Sequence, residues 1–526
     1  MNSKNLNHYK REINLTSSFF APKNFKNSLF NPIIASSLAF LLGGSLYGQG
    51  SITTNCGTSS KCNPITGNVV IKWGNVSNNT NFETSTSNNT TTIIFNKSGT
   101  GDGTSTGRIN TVNFKDTAFK NNKIFTNSGN HTMTVTLDAG KIFNLSVEKD
   151  IFKGNLVIND TGSGDSNQIG AKFTGKFSQG MEGNITVSRT EKDNNRTTLT
   201  FDGGNLGKSN AKSTITIQHT GTSDNNNSDN GALVLDFSNN NGGNLYANFR
   251  SVDGRGGSVI IKGYNNNTIT TTLYGNIGEQ ELGNPSTKDL NITFENAKMV
   301  GIIGHTNSSQ ANDFQKKVIT FKKTPQSTAT QEENGDNFVL EGDIISYGTG
   351  TVQTNPNTNK GNHVTFENGS MKGNIRALRI NNRGGYNKVT FKDANTTFQG
   401  KIESAGSYAV YVKNDVNFEG ATNNLLANGN NDVILATGNL SGGSNNIIFT
   451  STTSKNTIKG KITANSGSNN ITFKNNSSGQ TNELNTINAT GGSNNITFES
   501  NSGSNTITNI ATTGGVNTIT FGAPAK

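Results

Sequence analysis

Cysteine, tryptophan, proline and histidine are scarce in this chain, with only two, one, seven and five copies in 526 residues. So little cysteine excludes a disulfide framework and any cysteine-rich metal centre. So little proline excludes a proline-rich linker between domains. The histidines, His8, His131, His219, His305 and His363, stand far apart, and none belongs to a metal-spaced cluster. Hydrophobic residues make up 30% and charged residues 15% of the chain, too few apolar groups for one large globular core. No apolar run reaches the roughly 20 residues that cross a bilayer as a helix.

Asparagine, threonine, serine and 61 glycines fill the remainder. Such a composition would suit a disordered chain, except that the branched and aromatic residues are regularly placed. A β-branched residue, then usually Thr, then Phe recurs at Asn291–Phe294, Val318–Phe321, His363–Phe366, Lys388–Phe391, Asp415–Phe418, Asn446–Phe449, Asn470–Phe473, Asn495–Phe498 and Thr518–Phe521. The interval is about 25 residues, the signature of stacked repeats. The wider interval from Phe321 to Phe366 reads as nearly two units with one phrase degraded.

Alternation fixes side-chain direction within the phrase. Ile471 and Phe473 share one face of a strand and Thr472 the other; Ile496, Thr497 and Phe498 repeat this. Two or three short strands per repeat, joined by polar turns, describe one coil of a parallel β-helix. Stacking would set Phe449, Phe473, Phe498 and Phe521 in an internal aromatic ladder beside an aliphatic ladder of Ile447, Ile471, Ile496 and Ile519. The asparagine before each strand is expected in a turn, bonded to its counterpart in the next coil. A second phrase, glycine then any residue then an aliphatic, recurs at Gly154, Gly183, Gly275, Gly342, Gly373, Gly400 and Gly460. It reads as a tight corner followed by re-entry into the core. The expectation is an all-β, elongated, right-handed parallel β-helix over 151–526, with a cap and more degenerate first coils over 51–150. About 19 coils would fit beyond residue 50 at this period.

Residues 1–50 follow other rules. Lys4, Lys10, Arg11, Lys23 and Lys26 face the single Glu12, then an apolar run from Ile33 to Leu42 leads into Gly43–Gly50. This is the anatomy of a secretory signal, with cleavage expected after Gly48 or Gly50. In an exported chain Cys56 and Cys62 are expected to pair and close a small loop. The net charge of +10 is partly carried by this leader. No Lys/Arg run with interleaved aromatics supports nucleic-acid binding.

Catalytic motifs are weak. Gly103-Thr104-Ser105-Thr106-Gly107 matches a nucleophile elbow but lies in a Gly/Ser/Thr-rich stretch with no helix signal after it. Gly164-Asp165-Ser166 is followed by Asn167 where a serine-protease signature has glycine. No catalytic, cofactor or metal residue is assigned, and the chain is expected not to be an enzyme.

The long basic leader into Ser36–Leu42, the Asn-x-Ile-Thr-Phe units and the strand re-entry Phe398-Gln399-Gly400-Lys401-Ile402 together resemble the vacuolating-cytotoxin-like autotransporter passengers of gastric bacteria. The resemblance implies a secreted or outer-membrane-held β-helical passenger, carried by a C-terminal β-barrel and acting in host-cell or matrix contact, adhesion and colonisation. The chain shows no barrel-length strand set before Lys526, so it reads as a passenger whose barrel is missing or separate, with self-association expected through open β-helix ends. Ser51–Cys56 is polar where the pore-forming member of the family is apolar, so no channel is expected. A β-helical polysaccharide-active enzyme and a cytotoxin fragment are the alternatives.

Overall fold

The computed structural model describes residues 151–522, apart from segments 161–171, 190–196, 220–232, 252–256, 265–269, 281–288, 305–315, 324–337, 348–360, 379–384, 393–395, 407–411, 421, 428–430, 439–441, 451–454, 475–479 and 500–502. It also describes seven strands between residues 52 and 147, essentially as backbone. The leader, its cleavage site, Cys56, Cys62, Ser105 and Ser166 lie outside the described residues.

Every element among the described residues is a β-strand. From Ile109 to Phe521 the strands stack in parallel as a β-solenoid, whose first sheet has 15 strands in unbroken sequence order. A coil contributes one strand to this sheet and two to a second sheet, as in Tyr386–Lys392, Thr396–Gln399 and Ile402–Ala405. Further upstream, Asn79–Ser87 and Thr90–Ser98 run antiparallel, and Thr92–Phe95 then starts the parallel stacking on Thr132–Val135.

Alternating burial explains the low apolar content. In Asn469–Phe473 the first, third and fifth residues are buried and the others partly exposed. Each coil therefore hides only a few side chains, and hides them against identical neighbours. Phe294, Phe321, Phe366, Phe391, Phe418, Phe449, Phe473, Phe498 and Phe521 stack with centroids 4.7–5.4 Å apart and rings inclined by 4–12°. Each full burial contributes about 1.5–3 kcal/mol, and each ring pair about 0.5–1.5 kcal/mol more. The aliphatic ladder runs beside it through Ile447, Ile471, Ile496 and Ile519. In the last coil the ladder is open, with Phe521 68% and Ile519 47% exposed.

Nearer the N-terminus the aromatic column shifts by two residues. Phe152, Phe177, Phe201 and Phe237 contact one another in series with centroids 4.5–5.6 Å apart, while the column later taken by Phe294 holds Leu199, Leu235 and Ile261.

Two expectations are corrected. Phe321 and Phe366 are partners in adjacent strands, so the long interval is one coil enlarged by insertions, not two coils. Such insertions lower the number of coils the chain can form, and the first sheet holds 15 strands between Ile109 and Phe521. Finally, the asparagines do not mark the corners. They lie within the strands, and one column of them points inward.

The corner belongs to glycine. Gly342, Gly373 and Gly400 have φ of 145°, 141° and 155°, and each stacks on the backbone of the preceding corner. A Cβ at Gly373 would stand 2.0 Å from the Gly342 carbonyl oxygen, and one at Gly400 would stand 1.9 Å from that of Gly373. The aliphatic two residues later re-enters the core, as Ile344, Ile375 and Ile402 do at 0% exposure. The residue between them ties coils together: Asp343 Oδ1 accepts the Asn374 backbone N–H at 2.7 Å, and Asn374 Oδ1 accepts that of Lys401 at 3.0 Å.

Candidate binding surface

The interior carries a polar ladder as regular as the aromatic one. Asn362, Asn387, Asn414, Asn445, Asn469 and Asn494 are completely buried. Each donates from Nδ2 to Oδ1 of the next asparagine, ending on Asn517, at 2.7–2.9 Å. Each also donates to a backbone carbonyl of the second sheet, from Arg376 through Glu403, Leu435, Thr463 and Asn488 to Ala511, at 2.7–3.0 Å. Because a carbonyl can face only an N–H, these second bonds fix every amide orientation. All the amide dipoles therefore align, with oxygen towards the N-terminal coils. At that end Lys317, 0% exposed, donates from Nζ to Ser346 Oγ at 2.9 Å, and Ser346 donates to Asn362 Oδ1 at 2.6 Å. A shorter ladder, Asn423, Asn456, Asn482 and Asn505, repeats the device in the second sheet at 2.7–2.9 Å.

With the interior so occupied, chemistry that meets a partner lies on the outer faces. On the first sheet one outward column alternates in sign coil by coil: Asp236, Lys262, Glu295, Lys322, Glu367, Lys392. Lys262 reaches Glu295 at 3.7 Å, Lys392 reaches Glu367 at 3.6 Å, and further on Lys474 reaches Glu499 at 4.0 Å. Slipping the stack by one coil would place like charges together, so the column supports register as well as solubility.

A denser polar group surrounds Asp415, whose carboxylate accepts Tyr386 Oη at 2.7 Å, pairs with Lys413 Nζ at 2.7 Å and accepts Asn446 Nδ2 at 3.1 Å. Burial pushes the Tyr386 phenol well above its ordinary range, and the hydrogen bond and charge of Asp415 push it further. His363 packs edge-on to Tyr386 with centroids 5.6 Å apart. On the second sheet Glu403 is shared by Arg376 at 3.0 Å and Lys401 at 3.4 Å, and Glu341 is bonded to Lys298. Burial alone lowers the Lys323 ammonium below its ordinary value.

These carboxylates are thus each engaged by a cation or a donor within the protein, which suits them to structural pairing. Among the described residues no three His, Cys, Asp or Glu side chains come together in a way that could hold a metal, and no helix is long and apolar enough to cross a membrane. Four lysines of the second sheet, Lys372, Lys455, Lys459 and Lys461, are exposed and make no ion pair among the described residues.

Sequence reading placed Ile447, Phe449, Ile471, Phe473, Ile496, Phe498, Ile519 and Phe521 in one interior; the structure stacks them in register, with the first six buried and Ile519 and Phe521 exposed on the last coil. The same reading also expected asparagines to bond to their counterparts in the next coil, as Asn445 does to Asn469 and Asn469 to Asn494, but in turns and not inside the core. It missed Lys317, the alternating charges and the unpaired lysines. The charges had a visible signal, because Glu295, Lys322, Glu367, Lys392 and Glu419 each directly follow a Phe of the repeated phrase. No family model, curated protein or solved structure matches this chain.

Proposed function

We propose that this chain is an exported β-solenoid that acts as a non-catalytic binding surface, secreted or held at the outer membrane by a barrel, and makes contact with host cells or their matrix. The observation that carries this reading is the division of labour between the two sides of each strand. Inward residues form ladders that satisfy one another, while outward residues in register offer continuous rows of hydroxyl, amide and charged groups along the stack. Such a surface fits an extended ligand touched weakly at many coils, and avidity then supplies affinity without a deep pocket. The leader-like residues 1–50 and the resemblance to vacuolating-cytotoxin-like passengers support export and display.

The test is binding of the purified, labelled chain to epithelial cells and extracellular matrix. Saturable binding that is lost on heat unfolding is expected. No binding above that of an unrelated β-solenoid, or release of reducing sugar ends from matrix polysaccharides, would overturn the non-catalytic binding reading.

A further inference from the structure

The unpaired lysines of the second sheet are grouped. Lys372, Gln399, Leu426 and Lys459 occupy one outward column in four successive coils, which puts Lys372 and Lys459 about 14 Å apart at ordinary strand spacing. Lys455 lies on the same strand as Lys459, Lys455–Asn465, and four residues of extended chain separate the two by about 13 Å. Lys461 follows beyond Gly460. The three lysines Lys372, Lys455 and Lys459 thus mark the corners of a patch filled by Thr397, Gln399 and Asn424, neutral groups that give and accept hydrogen bonds, and by the half-buried Leu426.

Lys176, Lys208, Lys262, Lys298, Lys392, Lys413 and Lys474 each hold a carboxylate, so their charge is spent within the protein. Lys212, Lys322 and Lys388 also make no ion pair among the described residues, but Lys322 has Glu295 and Glu367, and Lys388 has Asp415, as register neighbours. Three acids stand near the patch: Glu341 is the register partner of Lys372 one coil back and is bonded to Lys298, Glu483 is the register partner of Thr457 one coil on, and Asp432 is that of Lys461, with Asp432 Oδ1 accepting the Thr463 hydroxyl. The positive charge facing solvent is therefore in excess.

We propose that this patch binds an anionic polysaccharide bearing sulfate or carboxylate groups, with Lys372, Lys455 and Lys459 as its charge contacts and Gln399, Asn424 and Thr397 meeting sugar hydroxyls. Lysine is a compact charge on a flexible stem and needs no fixed bidentate geometry, which suits anions spaced along a chain. No aromatic side chain stands among these outward residues, so bases have nothing to stack on and single-stranded nucleic acid is poorly served. The flat spread of charge over four coils favours an extended polymer over a single small anion. This inference deepens the host-surface reading and rests on it for the biological source of the polysaccharide.

The experiment measures binding of the full chain to heparin, to hyaluronan and to neutral dextran over graded salt. Binding to the first two and not to dextran is expected, with heparin alone pointing to sulfate and both to any polyanionic glycan. The triple variant Lys372→Ala, Lys455→Ala, Lys459→Ala should lose at least tenfold in affinity, and its slope of log affinity against log salt should shrink by about two. Glu483→Gln should tighten binding, a gain that no folding defect produces. A matched triple at the paired residues Lys262, Lys392 and Lys474 serves as control. Unchanged affinity in the first triple with unchanged melting, a loss as large in the control triple, or stronger binding to RNA or anionic vesicles than to either glycan would overturn the proposal. Wild-type cell binding that survives the triple substitution sinks the patch and leaves the host-surface reading standing. Lysine-dependent heparin binding without any cell binding does the reverse.

Discussion

The buried ammonium of Lys317 and the carbonyl of Asn362 are joined through one hydroxyl: Lys317 Nζ donates to Ser346 Oγ, which donates to Asn362 Oδ1. A donor relay thus caps the oxygen end of a row of aligned amides. Ser346→Ala should break this link and leave Asn362 Oδ1 without its donor. The expected cost is about 1–3 kcal/mol, read as a lower denaturant midpoint with an unchanged slope. An unchanged midpoint would show that the link adds nothing to stability.

The asparagine ladder makes a sharper prediction about pH. Asn445 donates both amide protons, to Thr463 O and Asn469 Oδ1 at 2.8 Å each, and accepts from Asn414 Nδ2 at 2.9 Å. Asn445→Asp would place a carboxylate against two oxygens in a fully buried position, which raises its folded-state pKa above the unfolded value of about 3.9. Sites of that kind keep their stability below the unfolded pKa and lose it as pH rises through the folded pKa. The variant should therefore melt much closer to wild type near pH 4 than at pH 7. Asn445→Ala, which has no ionisable group, should be destabilised by a similar amount at both. Equal losses for the aspartate at both pH values would contradict the geometry.

Corner glycines divide into those that need space and those that need only a backbone conformation. At Gly373 a new Cβ would meet the Gly342 oxygen at 2.0 Å, whereas at Gly242, φ 93°, nothing lies within 4 Å. Gly373→Ala has to push a neighbouring coil aside and should abolish soluble expression or expose the stack to limited proteolysis. Gly242→Ala meets only the strain of its φ, on the order of 1 kcal/mol, and should lower the melting temperature by a few degrees. Comparable behaviour of the two would mean that coil contact is not what glycine protects.

The fold was legible because strand alternation and the repeat interval are both linear properties of the chain. Ile471, Thr472 and Phe473 declare their directions by spacing alone. What escaped was whatever depends on the register between coils or on which side of a strand a polar residue takes. Asn469 and Asn470 are adjacent and chemically identical, yet one is fully buried and the other faces outward, and only the position of Ile471 relative to the core separates them. The same limit hid the lysine patch, since Lys372 and Lys459 are distant in sequence and fall in one column only when the two intervening rungs, Gln399 and Leu426, are counted. Insertions such as those between Phe321 and Phe366 disturb that count.

Charge alternation on the first sheet can be tested by breaking it at one coil. Lys392→Glu would place its carboxylate beside Glu367, with Glu419 following in the next coil, and remove an ion pair of 3.6 Å. Both partners are partly solvated, so the pair contributes little in water and the loss should be about 0.2–1 kcal/mol at low salt. Raising ionic strength to about 1 M shortens the screening length to about 3 Å and should erase most of the difference. The double variant Lys392→Glu, Glu367→Lys restores the local pair but sets the ammonium introduced by its second substitution beside Lys322, the register neighbour of Glu367 in the preceding coil, so it should recover only part of the loss. Full recovery would indicate an isolated pair; partial recovery is the mark of a column whose register is read over more than two coils. Denaturant midpoints of the two single variants, the double variant and wild type at both salt concentrations decide between these outcomes.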